Sequence, residues 1–540
     1  MRKQQVIWGV ALLILFLKGA GDCAGAEQHE PAQWLLVTAP AFRKELTPLI
    51  EQRRAEGFKV MVLETTNVLT EEQIQQGDGL PLQAYLKEHC GPGDGPNYLL
   101  LAGVTGTFGS TNDEQITVPA LRGAVGRMKG KPGDYGYSLP DKDGLPAQAV
   151  GRFPARTAAE VRGMVAKTLN LVLDQQPGSW RNRLVLLTGD TGGGPMADMM
   201  VEPALAARLE RLDPSWNVHG IMSTSRSRYY LPGELAYDAA LQALAEGELI
   251  SVFMGHSSAS GMWLTGNHFI TRQDWGNVKI PHGPGIFFTC GCFACQLRGR
   301  DGEGYGLTAM RNADGPAAVI GASGESWAAP GQLALDGLLR CCSKPPFPTR
   351  LADYWLSVQA GLAKGEIEEM MFKLFDQFDG SQGKVSLPVQ RREHLEMWML
   401  LGDPALSLPL MPSDILIDVP ATISPGGTVT VKGSVAGRLA GAVVRVTVER
   451  PINSLPAGLE KPPAASAENR ADRERVAIEN CGRANNFVLA SVEARLDGNK
   501  FVCTLAAPAQ LPWAKLIVRA GAASPSGAAS GVVVLPVKQE

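Results

Sequence analysis

The 540-residue sequence has only nine cysteines, too few for a disulfide-dense scaffold. Charge of one sign is also missing. Fifty-one Lys and Arg against 54 Asp and Glu leave a net charge of −3, which gives no electrostatic reason to expect a nucleic acid or an acidic membrane as partner. Past the first residues no stretch approaches 18 consecutive apolar residues, so stable membrane insertion is not expected. There is no GxxxxGK[ST], no GxSxG and no HExxH, which removes a P-loop, a serine nucleophile elbow and a zincin helix. The run Gly189 to Gly194 succeeds an apolar segment but lacks the phosphate-binding lysine, so it reads as a turn.

What is present is a globular composition, 45% apolar and 19% charged, long enough for several domains. The chain opens with Arg2 and Lys3, an apolar run from Val6 to Leu17, and Ala24-Gly25-Ala26. That is the pattern of a secretory signal peptide cleaved after Ala26. Cys23 comes after Ala20-Gly21-Asp22, which is not a lipobox. The expectation is an exported protein, periplasmic or extracellular.

From 27 to 180 short apolar runs (Trp34 to Val37, Phe58 to Leu63, Tyr98 to Ala102) alternate with helical patterns. This predicts a parallel sheet covered by helices. From 181 to 410 the pattern starts again, with buried strands at Leu184 to Leu187, Val218 to Met222, Leu249 to Met254, Gly285 to Thr289 and Ala317 to Ala322. Helices are expected over Glu366 to Phe378 and Val389 to Leu400, among others. From 411 to 540 short runs rich in β-branched residues predict a β-sandwich, immunoglobulin-like in strand count. The polar stretch Pro456 to Asn480 reads as a long loop within it.

Two segments carry candidate chemistry. Ser251 to Trp263 (SVFMGHSSASGMW) is a buried strand ending at His256, and Gly285 to Cys295 (GIFFTCGCFAC) is one ending in three cysteines. Ligands bind beyond the carboxyl ends of strands in open α/β sheets, and successive strands are often neighbours. An imidazole and a thiol can therefore face each other across one crevice, as a thiol nucleophile requires. The glycine beside the histidine would let a substrate backbone come close. Each segment also has a plainer reading, as a hydrogen-bonded core histidine and as buried apolar thiols. Cys290, Cys292, Cys295 and His256 could alternatively form a Cys₃His zinc site.

These residues resemble the His and Cys blocks of the caspase/legumain/gingipain clan of cysteine peptidases. Three further segments are similar to the gingipain family: Ala149-Val150-Gly151-Arg152-Phe153 before a capped helix, Ile320-Gly321-Ala322-Ser323 to Trp327, and Leu400-Leu401-Gly402-Asp403-Pro404-Ala405-Leu406. The resemblance implies two caspase-like parallel-sheet subdomains followed by an immunoglobulin-like β-sandwich, acting on a protein or peptide substrate. It implies Cys292 as nucleophile, His256 as its base or ion-pair partner, a backbone contribution from Ser257 to an oxyanion hole, and Trp327 packing on the substrate side chain before the scissile bond. It requires no cofactor, and it leaves room for a structural calcium ion. Gingipains cut after Arg or Lys using a pocket carboxylate. No motif places that acid here, and Asp134, Asp141 and Glu325 stand as candidates. Three readings are open: an exported cysteine endopeptidase, a non-catalytic binding or scaffold protein on the same fold, and a metal-binding protein using the cysteine cluster.

Overall fold

In the computed structural model the apolar runs of both α/β units become strands of one ten-stranded sheet. The structure describes residues 32–538 apart from 91–96, 107–110, 174–177, 191–193, 299–301, 440, 464–465, 467 and 526, so the expected leader 1–26 lies outside the described residues. The first unit supplies β1 (Gln33–Thr38), β2 (Lys59–Glu64), β3 (Asn97–Ala102) and β4 (Ala149–Phe153). The second supplies β5 (Arg183–Thr188), β6 (Asn217–Met222), β7 (Glu248–Met254), β8 (Pro284–Thr289) and β9 (Ala318–Ala322). The last strand, β10, is Trp398–Leu401. Their order is β2-β1-β3-β4-β10-β9-β8-β7-β5-β6.

Within each unit all pairings of this sheet are parallel. β10 runs parallel to β4 and antiparallel to β9, so the two units run in opposite directions and meet at this one strand. The sequence predicted a helix through Leu400, but the helix ends at Met397 and the next four residues are strand. Trp398, Met399, Leu400 and Leu401 are all buried, and a short apolar run without period suits either state. The open position between β4 and β9 decides it.

Two family-like segments prove to be structural anchors. The Asp403 carboxylate is fully buried and accepts from Arg53 Nε at 3.0 Å, Arg53 Nη2 at 2.7 Å, Trp34 Nε1 at 3.0 Å and Ala405 N at 3.0 Å. Arg152, also fully buried, donates to both Asp134 oxygens at 2.7 Å and to the Gly103 and Val118 carbonyls at 3.0 and 2.9 Å.

Four helices surround or support the strand ends of the second unit: α1 (Gly194–Arg211), α2 (Ala328–Arg340), α3 (Glu369–Asp379) and α4 (Leu387–Met397). Beyond Leu410 seven strands form a three-stranded and a four-stranded antiparallel sheet, with an apolar core of their own. The stretch read as a long loop instead leads into a helix, α5 (Arg470–Asn485). Its apolar side is narrow: Val476, Ala477, Cys481 and Ala484 are buried on an otherwise polar helix. Asn485 exchanges two hydrogen bonds with the Gly220 backbone, at 2.8 and 2.9 Å, so α5 covers the β6 edge of the large sheet.

Removing the Asp403 carboxylate would leave the Arg53 guanidinium buried without its main partner. Asp403→Ala is expected to cost about 3–5 kcal/mol of stability. Urea unfolding of the purified variant checks this; a loss near zero would mean that Arg53 finds another acceptor, Glu56 being the nearest.

Candidate active site

β7 and β8 are parallel neighbours with Phe253 opposite Thr289. His256 lies three residues beyond Phe253, and Cys292 three beyond Thr289, so the strand register carries both past the sheet at the same level. Cys290 N donates to Phe253 O at 2.9 Å and Gly189 N to Met254 O at 2.8 Å, which fixes the strand ends to one another. Gly255, at φ +153, packs against the Gly189 backbone, where a Cβ would come within 3.0 Å. The glycine beside the histidine thus answers a close backbone approach within the protein, and it also lines the cavity that His256 and Cys292 share.

His256, Cys292 and Trp327 line one cavity of about 220 Å³. The Cys292 carbonyl accepts from Ser257 Oγ at 2.7 Å. Cys292 Sγ accepts from Ser326 N at 3.3 Å and donates to Ser326 O at 3.7 Å. A side chain at Gly291 would collide with Ser257 Oγ, so this small residue keeps the two loops together. Phe293 comes next in the left-handed region at φ +57, held by its N–H to Gly324 O at 2.8 Å. Such strain at a non-glycine residue persists only where surrounding contacts fix it, and it is frequent beside reactive groups. The Ser257 hydroxyl is thus tied to the cysteine loop. Trp263 N donates to His256 O at 2.9 Å, and the next pair, Ser257 with Met262, falls where ladder bonds alternate away. The Ser257 N–H accordingly faces away from its partner strand.

Cys290 and Cys295 flank Cys292 on the same loop. Burial pushes Cys290 up to about 12, and its Sγ donates to Gly331 O at 3.4 Å. Cys295 has no exposure and is pushed up by the same cause. The Cys290 and Cys292 sulfurs turn to separate partners. Among the described residues no three His, Cys, Asp or Glu side chains meet where a metal ion could sit, so the zinc alternative finds no site.

Trp327 lines the cavity but is only 4% exposed, and the Arg127 guanidinium stacks over its ring at 3.9 Å. Its N–H donates to His394 Nε2 at 2.8 Å, the Ser326 hydroxyl lies 3.2 Å from the same nitrogen, and His394 Nδ1 reaches Gln390 O at 2.7 Å. A backbone amide must donate and a carbonyl must accept, so the proton sits on Nδ1 and the ring is neutral. Burial pushes His394 down to about 3, against the Gln390 carbonyl and with Arg127 acting in the same direction. His394 therefore positions the segment that touches Cys292. Sequence reasoning missed it because nothing distinguishes it from any helix histidine.

None of the candidate pocket acids lines the cavity. Asp134 is paired with Arg152, Asp141 accepts the amides of Asp143 and Leu145, and Glu325 pairs with Arg127 at 2.9 Å. The acidic and basic residues that do line it are Asp190, Arg208 and His256.

Comparison with known proteins places the chain beside a recognised group. The family model described as Peptidase family C25 matches residues 27–409. The structure is similar to the crystal structure of the Arg-specific cysteine proteinase gingipain R, at 14% identity over 95% of this chain and 99% of that one, with a TM-score of 0.50. It is also similar to the complex of Porphyromonas gingivalis RgpB pro- and mature domains, at 12% identity over 94% and 100%, with a TM-score of 0.51. These likenesses are of fold. No curated protein matches the sequence.

The buried imidazole makes stability depend on pH. Its folded value, about 3, lies below the ordinary 6.5, so the unfolded chain takes up the proton first as pH falls. The contribution is complete above 6.5 and is lost as pH drops toward 3, at up to about 1.4 kcal/mol per pH unit. Denaturant titrations across that range should show this slope in the natural protein and a flatter one in His394→Gln. Equal slopes would mean that another group carries the acid limb.

Proposed function

The chain belongs to peptidase family C25, the gingipain family of cysteine peptidases, and on that footing we propose that it is an exported cysteine endopeptidase in which Cys292 is the nucleophile and His256 its base. The observation that carries this reading is the common cavity wall. Imidazole and thiol stand at equal offsets beyond two paired strands, and both open on the same space.

The chemistry is set by those groups. The imidazole takes the Cys292 proton, and Sγ attacks the scissile carbonyl carbon. Charge moves onto the carbonyl oxygen, which accepts a hydrogen bond from the Ser257 N–H. Collapse breaks the C–N bond, and the imidazolium hands its proton to the departing amine. Water, deprotonated by the imidazole, then attacks the thioester and releases the acid, restoring the thiol. Trp327 forms part of the wall against which the substrate side chain rests.

Export rests on the basic start, the apolar run and Ala26. Among the described residues no helix is long and apolar enough to cross a membrane. N-terminal sequencing of the mature protein should begin at or near Glu27; a start at Met1 in a membrane fraction would defeat the export reading.

Cys292→Ala should lose at least ~10³-fold in peptide hydrolysis, as removal of a covalent nucleophile does. His256→Ala should lose nearly as much, since the two act as one unit. Cys290→Ala and Cys295→Ala should alter stability more than rate. Hydrolysis assays with iodoacetamide labelling separate these cases. Activity surviving in Cys292→Ala but lost in Cys295→Ala would move the nucleophile along the loop, and activity unchanged in all four would remove the active site from this cavity.

A further inference from the structure

The cavity that begins at Cys292 and His256 continues between three helices, and its composition bears on what it can hold. Most of its wall is apolar: Met200 and Leu205 on α1, Met254 at the end of β7, and Met371, Leu374 and Phe375 on α3. The α3 residues fall at helical spacing, so one face of that helix is turned to the cavity. That face is fixed. Asp376 accepts from Ser381 N at 2.7 Å, Gly383 N and Gln390 Nε2 at 2.6 Å and Ser381 Oγ at 3.0 Å, which ties the end of α3 to α4.

Resting on the cysteine-peptidase reading, we propose that this cavity receives the substrate side chain on the acyl side of the scissile bond and selects a large apolar one, leucine, methionine or phenylalanine, against arginine and lysine.

The charged groups in the wall argue the same way. Arg208 donates from Nε to Asp336 Oδ1 at 3.0 Å, from Nη2 to Gln332 Oε1 at 2.6 Å and from Nη1 to the Ala204 carbonyl at 3.3 Å. Asp336 is thereby committed, and an incoming guanidinium or ammonium would lie beside a second cation with no inward carboxylate to meet it. The imidazolium formed during the reaction would add a third. An acidic side chain fares no better, because Asp336 already satisfies Arg208. Asp190 is the remaining carboxylate, but it is exposed, and water screens what it could offer a cation. Burying a charged group without hydrogen-bonding partners is strongly unfavourable, whereas an apolar side chain leaves the Arg208 network whole. Methionines in the wall adapt to more than one apolar shape, so leucine, methionine and phenylalanine should all be accepted.

The test uses fluorogenic peptides that differ only in the residue before the reporter: Leu, Met, Phe, Arg, Lys and Asp. Two peptidyl chloromethyl ketones, ending in Leu or Arg, accompany them. Wild-type kcat/KM should favour each apolar residue over Arg and Lys by at least ~10-fold, and the Leu reagent should label Cys292 faster than the Arg reagent. Leu205→Asp should narrow or reverse the ratio by a similar factor. Circular dichroism establishes that the variant folds, and Met371→Asp replaces it if it does not. A wild-type preference for Arg, Lys or Asp with Cys292 labelled overturns the specificity and leaves the peptidase reading standing. No cleavage and no label on Cys292 with either reagent overturns the peptidase reading, and the specificity with it.

Discussion

One buried carboxylate holds the sheet together. Asp403 receives four donors from three parts of the chain: Arg53 behind β1, Trp34 within β1, and its own neighbour Ala405. It lies just past β10, the strand on which two oppositely directed units meet. A charge this deep is tolerable only when every lone pair is met, and here the geometry supplies that. The consequence reaches the site. Because the second unit runs against the first, the carboxyl ends of β7 and β8 emerge at the opposite edge from those of β1 to β4. The crevice beyond them is formed by the second unit, and β10 fixes the relation between the two.

The segment 387–403 does more than close the sheet. Glu393 accepts Met128 N at 2.7 Å, and Glu396 accepts Ala124 N at 2.6 Å, so α4 shapes a loop of the first unit. That loop carries Arg127 onto Trp327. From the same helix Gln390 holds Asp376 behind α3, and His394 holds the Trp327 amide. One helix thus ties the loop bearing Arg127, the wall of the cavity and the segment over Cys292 to the anchored strand. This explains why a neutral, fully buried histidine is worth its desolvation: it converts helix position into the placement of Ser326 N beside the thiol.

Much of this was legible in the sequence. Apolar runs bounded by turns placed eight of the ten sheet strands, and the paired strand ends at His256 and Cys292 indicated a shared crevice. What escaped has physical reasons. Trp398 to Leu401 is apolar without period, so only the vacancy in the sheet makes it a strand. The face that α5 buries is built from small residues and one cysteine, too little apolar surface to mark a helix in a polar stretch. The Arg152–Asp134 pair and the Asp403 cluster join residues far apart in sequence, and no local pattern reveals such contacts. The cavity wall was invisible for the same reason, since α1, α2 and α3 reach it from three separate stretches.

A protein that keeps many thiols must prevent them from reacting alike. None of the eight described cysteines is in a disulfide. Burial raises the thiol of seven of them: Cys90, Cys290, Cys295, Cys341, Cys342, Cys481 and Cys503. Oxidants, alkylating agents and scissile carbonyls all react with the thiolate, so a raised value slows each of these reactions together. Cys290 shows the discrimination most sharply. It borders the same cavity as Cys292, two residues away, yet its sulfur is turned to the Gly331 carbonyl. The Cys292 sulfur accepts from the Ser326 N–H at 3.3 Å as well as donating to the Ser326 carbonyl at 3.7 Å. Of these two adjacent thiols, Cys292 is the one met by a backbone N–H, because the Trp327 segment that His394 holds lies beside it.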